Sequence, residues 1–217
     1  MQDKGIQYKK IEVKNQAEKI YLKKEKDFVN IEGNYGAYQN WLFTGNHRKK
    51  FWADRSCGLA AAGNVAYYLT QNHKKPLYNY PEMTVENFTL FLNELYKFIR
   101  PRLYGIPTLA YMKRGFTRFA KSNGVSLQGE TINMRYSREY IIGKIKEVLA
   151  EDVPIMMLTW NTHQPHLKYH WVTITGYFRD EKGGNFIVTS NWGRREIFNL
   201  DRWLAERSFY KGLIYFK

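Results

Sequence analysis

One thiol, one imidazole and one carboxamide stand far apart in this chain and could work as a unit. Cys57 is the only cysteine among 217 residues. It opens the run Cys57-Gly58-Leu59-Ala60-Ala61-Ala62-Gly63-Asn64-Val65-Ala66, whose alanines favour helix. Small side chains all round suit a helix buried at the centre of a domain. Cys57 falls at the N-terminus of that helix, with Ser56 as the expected cap. Free amide N–H groups and the positive end of the helix dipole meet there. Both favour thiolate over thiol and make the sulfur a candidate nucleophile. The plain alternative is a small core hydrophobe, the commoner role of a lone cysteine. A thiolate nucleophile also needs a base and a group that holds the base in its productive tautomer. His170 opens an apolar strand, and Asn191 ends the following strand across a hairpin. Paired strands can bring the two side chains together.

These residues need a helix and a sheet to position them. The central helix is expected over residues 57–71. Thr84 caps a second helix, 85–99, with Phe88, Phe91, Leu92, Leu95 and Phe98 at helical spacing, and Pro101 stops it. A third spans 108–122 between Pro107 and Gly124. Residues 125–132 read as a strand. Ser137 caps a fourth helix ending near Ala150, with Ile141, Ile142, Ile145 and Leu149 in one stripe. The period then changes. Strands are expected at 153–160, 170–178, 185–190, 195–198 and 209–216, with a helical turn at 201–206. Helices first and an antiparallel sheet second indicate an α+β fold. Residues 1–35 read as a Lys-rich extended arm with one strand, and 36–217 as the domain. The aromatic stretch 38–55 leads to the entrance of the central helix.

Three short motifs in this order carry a resemblance. Cys57-Gly58 opening an Ala-rich helix, His170-Trp171-Val172-Thr173-Ile174-Thr175-Gly176-Tyr177, and Ser190-Asn191-Trp192-Gly193 together resemble the papain-like cysteine peptidase superfamily. The chain is more similar to its compact bacterial branch, the bacteriocin-leader peptidases, than to papain itself. The resemblance covers residues 40–217. It implies a papain-like fold with the helical half packed on the sheet and a cleft between them. It implies a thiol protease, a hydrolase acting on peptide or protein substrates with no cofactor. Cys57 would be the nucleophile, His170 the base, and the backbone N–H of Cys57 part of an oxyanion hole. An inactive binding module or an acyl-transfer relative are the alternatives on the same fold.

Two departures from the family pattern are evident. Papain-type enzymes read Asn-Ser-Trp-Gly, so aligning on Trp192-Gly193 puts Ser190 in the orienter's place. Strand side chains alternate faces, so one of Ser190 and Asn191 faces His170, and the amide favours Asn191. The family's oxyanion glutamine falls about six residues before the cysteine, where this chain has Phe51. Asp54, Gln39 and Asn40 are the available substitutes. Trp171 and Trp192 are candidates to line the cleft.

Composition excludes other classes. Net charge is +14, with 34 basic and 20 acidic residues. That favours acidic partners, but the charge is spread out, and no RNA-binding, zinc-finger or basic-zipper pattern accompanies it. Specific nucleic-acid binding is not expected. One cysteine allows no internal disulfide. No run reaches the roughly 18 apolar residues of a membrane span, and the first residues lack a signal peptide's apolar core. The expectation is a cytoplasmic protein, or a secreted one if a leader has been removed. His163, His166 and His170 lie within eight residues, but no carboxylate or second cysteine is near, and no metal is expected. His47 and His73 read as surface residues.

Overall fold

A computed structural model describes residues 16–42 and 47–217. The first strand, β1 (Gln16–Tyr21), lies in what the sequence marks as an arm. Two short strands, β2 (Asn30–Ile31) and β3 (Asn34–Tyr35), form a tight hairpin. A 3-10 turn, Gln39–Trp41, and a short helix, α1 (His47–Ala53), lead to the long central helix α2 (Cys57–His73). Helices α3 (Val85–Tyr96) and α4 (Leu109–Ser122) follow. After β4 (Gly129–Ile132) comes α5 (Arg138–Ala150). The remainder is β5 (Ile155–Thr159), β6 (His170–Asp180), β7 (Asn185–Asn191), β8 (Arg194–Asn199), α6 (Leu200–Ala205) and β9 (Lys211–Phe216).

The caps expected at Thr84 and Ser137 form: each hydroxyl accepts an N–H of the first turn, from Asn87 at 3.1 Å and Tyr140 at 3.2 Å. The architecture is α+β with an antiparallel sheet in the order β4-β9-β5-β6-β7-β8. The long strand β6 is flanked twice on one side. Its first half pairs with β5, Thr159 opposite His170, and its second half with β1, Tyr21 opposite Gly176. A bulge between Ile174 and Gly176 interrupts its pairing with β7.

Helix α2 lies against β5 and β6 on one side and α3 on the other. Its alanines and glycines are what permit this. A Cβ on Gly58 would come within 2.6 Å of Ile106 Cδ1 and 3.1 Å of Trp171 Cδ1. A Cβ on Gly63 would stand 2.6 Å from Leu92.

The arm expected at 1–35 needs correction over the residues described. Leu22, Phe28, Val29 and Ile31 are buried in the common core, so residues 16–35 are built into the fold. Residues 1–15 of that arm lie outside the described residues. Buried Asp152 clasps this segment to α2. It accepts the Tyr68 hydroxyl at 2.6 Å and the Lys23 N–H at 2.8 Å. His73 is not a simple surface residue, because its Nε2 lies 2.8 Å from the Asp152 carbonyl. The side chain of His47 lies outside the described residues. Among the described residues, no helix is long and apolar enough to cross a membrane.

Candidate active site

Cys57 is the first residue of α2, as its sequence implies. The expected cap does not form. Ser56 Oγ donates backwards to the Trp52 carbonyl at 2.6 Å, and its side chain makes no cap hydrogen bond. The first-turn amides of α2 therefore receive no side-chain acceptor from it.

Cys57 is buried, with 7% of the residue exposed. It lies between two concavities. The inner one is a cavity of about 10 Å³ shared with His170, Asn64, Ser190, Gln39 and Trp192. The outer one is a groove of about 600 Å³ with walls from Leu103, Tyr104, Trp160, Tyr169 and Phe209. The groove carries large exposed apolar side chains, Phe209 at 86% and Tyr104 at 81%. Arg55 shapes one wall: its Nε donates to Leu103 O at 2.7 Å and its Nη1 to Phe51 O at 2.9 Å.

His170 is brought to the same cavity by the first residue of β6. Its Nε2 lies 2.7 Å from Asn191 Oδ1, a bond the ring makes as donor. An imidazole that donates from Nε2 keeps its lone pair on Nδ1. Of the two orienter candidates, Asn191 therefore contacts the imidazole. Ser190 lines the cavity but is held elsewhere: its Oγ donates to Tyr35 O at 2.7 Å and accepts from Asn64 Nδ2 at 3.2 Å. The ring of Trp192 covers the imidazole, with centroids 4.6 Å apart. Trp192 itself sits at φ +47°. Trp171 is buried, with Nε1 donating to Ile106 O at 2.8 Å, and lines the inner cavity beside Cys57 and His170 rather than the outer groove.

Burial governs the charges here. It pushes the Cys57 thiol up to about 11, against the N–H groups of Trp171, Gly58 and Cys57 itself, which favour thiolate. The N–H groups at the helix end act in the expected direction, but desolvation outweighs them. Burial likewise pushes His170 down to about 4, opposed by its bond to Asn191 and reinforced by the positive charge available at His166. The resting pair is thiol and neutral imidazole.

The three oxyanion substitutes separate clearly. Gln39 lines the inner cavity, its Nε2 donating to the Asp54 carbonyl at 3.3 Å. That leaves Gln39 a second N–H, and its Oε1 is buried without a hydrogen-bond partner. Asp54 orients Gln39 through its backbone carbonyl, while the residue itself lines the outer groove. Asn40 is exposed, donates to the Tyr38 hydroxyl at 2.7 Å and does not reach the cavity.

Two residues of this constellation were not singled out from the sequence. Asn64 is a buried polar residue in an otherwise apolar stretch of α2, seven positions and two turns after Cys57. It ties Ser190 and the Ala37 N–H to the helix, accepting the latter at 2.8 Å. A polar side chain inside an Ala-rich buried helix was the available signal. Glu196 on β8 accepts Asn191 Nδ2 at 2.9 Å and faces His166 Nδ1 at 3.2 Å. Nothing local distinguishes Glu196 in the sequence, because the contact runs across a hairpin. The three histidines diverge: His163 is exposed, His166 faces Glu196 and His170 faces Asn191. Among the described residues no three His, Cys, Asp or Glu side chains converge as a metal site would require. No family model and no curated protein matches this chain.

Proposed function

We propose that this chain is a papain-like cysteine peptidase in which Cys57 is the nucleophile and His170 the base. The observation that carries the reading is the 2.7 Å bond from His170 Nε2 to Asn191 Oδ1. With the amide oxygen toward the ring, it leaves Nδ1 as the basic nitrogen of a ring lining the same cavity as Cys57. In the proposed reaction Nδ1 takes the thiol proton as Sγ adds to a peptide carbonyl carbon, and the carbonyl electron pair moves to oxygen. The Cys57 backbone N–H and the second Nε2 proton of Gln39 are the donors for that oxygen. Collapse breaks the C–N bond. The amine leaves with the proton from Nδ1, and a thioester remains on Cys57. Water, deprotonated by His170, hydrolyses the thioester to the acid and restores the thiol. The aromatic groove beyond Cys57, about 600 Å³, is the proposed seat of the substrate chain.

Iodoacetamide labelling of the wild type and His170→Ala tests this. The wild type should react about 100-fold faster at neutral pH, the lower end of what a positioned base contributes. Equal, slow labelling of both overturns the reading.

A second reading, a binding module on the same fold without turnover, is favoured by the burial of Cys57 and by its raised pKa. It calls for binding unaffected by Cys57→Ser and no cleavage of broad peptide libraries.

A further inference from the structure

We propose that Glu196 is a positioning residue that sets the tautomer of His170 through Asn191. The proposal rests on the reading of Cys57 and His170 as nucleophile and base. An asparagine side chain can present either its oxygen or its NH2 to a neighbour. With Oδ1 toward His170, the ring donates from Nε2 and Nδ1 keeps its lone pair. With Nδ2 toward His170, the ring must accept at Nε2, so the proton moves to Nδ1 and the base is lost. The hydrogen bond to His170 alone does not choose between these arrangements.

Glu196 does choose. An ionised carboxylate only accepts, so it can hold Asn191 only by its NH2, here at 2.9 Å from Oε2. The amide oxygen is then directed at His170, where it accepts at 2.7 Å. The carboxylate is half-buried, and among the described residues no lysine or arginine forms an ion pair with it. Neighbouring Arg195 is committed to Glu25 at 2.6 Å. The same Oε2 that holds Asn191 also lies 3.2 Å from His166 Nδ1. Two donors on one oxygen fix the carboxylate in place. The acceptor-only chemistry of Glu196 is thereby relayed through two hydrogen bonds to the far nitrogen of the imidazole.

The test uses the intact chain with 15N-labelled histidine and iodoacetamide as the probe. Wild-type His170 should show the Nε2–H pattern in its ring nitrogen shifts, assigned by its loss in His170→Ala. In Glu196→Leu the Nδ1–H pattern should grow, and the labelling rate should fall about tenfold, within the contribution of a positioned base. A reciprocal exchange separates positioning from general support of the fold. Asn191→Asp sets two carboxylates against each other, which drives the new carboxylate away from the imidazole, and should slow labelling similarly. Asn191→Asp with Glu196→Gln restores one acceptor facing His170 and one donor behind it, and should return the rate to within about threefold of wild type. Unchanged His170 shifts in a folded Glu196→Leu protein overturn the proposal. Should that variant fail to fold, absence of rescue in the exchange pair overturns it. Because the shifts report the tautomer whether or not Cys57 reacts, failure of the peptidase reading appears separately, as labelling independent of His170.

Discussion

At the scale of single residues, burial outweighs the field of the helix end. A helix terminus contributes about 0.3–1 kcal/mol at exposed positions. Enclosing Cys57 overcomes this and leaves the thiol protonated at rest, near 11. His170 is held neutral for the same reason, at about 4 rather than 6.5. The second shift has a consequence for stability. The unfolded chain binds a proton at this histidine below 6.5, whereas the folded chain does not until about 4. The stability tied to neutral His170 is therefore complete above 6.5. It is lost as pH falls from 6.5 to about 4, to an extent on the order of 3 kcal/mol. Urea unfolding across that range should show the wild type weakening and a His170→Phe variant weakening less. Parallel slopes would assign the acid sensitivity to other groups.

At the scale of elements, much of the architecture was legible. The helix starts at Thr84 and Ser137 were readable because a hydroxyl three residues before a first-turn amide is a local signal. The strands carrying His170 and Asn191 were readable because alternation and turn residues are local too. Ser56 misled, because a serine before a helix has a second option, the carbonyl one turn back, and here it takes that option. The choice between Ser190 and Asn191 needed the sheet itself, since the competing partners Tyr35 and Asn64 come from distant segments. Close packing of α2 on β6 makes its own prediction. Gly58→Ala places a methyl 2.6 Å from Ile106 and 3.1 Å from Trp171. Thermal unfolding should show a loss of about 1–3 kcal/mol, the usual range for overpacking. A neutral result would mean that the Ile106 side chain yields freely.

At the scale of the whole molecule, residues 16–35 belong to the same body as the helices and sheet. Their lysines suggested an arm, because charge is conspicuous in a sequence and a few scattered apolar residues are not. Leu22, Phe28, Val29 and Ile31 nonetheless reach the core. The polar anchor of this attachment is the Tyr68–Asp152–Lys23 cluster, with Tyr68 on α2 and Lys23 just beyond β1. Removing the hydroxyl with Tyr68→Phe leaves Asp152 short of a buried donor. Chemical denaturation should register a loss of about 1–2 kcal/mol. Hydrogen exchange should quicken in β1 before it does in β5 if the clasp is what secures the segment. Uniform quickening would spread the role over the whole core.

The bulge in β6 restricts how this polypeptide can be rewritten. His170 lies four residues before Ile174, where the irregular pairing with β7 begins. Neighbouring side chains on a strand point to opposite faces, so one added or deleted residue inside that span would turn the imidazole through the sheet and away from the thiol. Two would preserve the facing but slide it a full repeat along the strand. Insertions are tolerable in the connecting loops, whereas the short count from ring to bulge is a fixed length on which the geometry of the cavity is written.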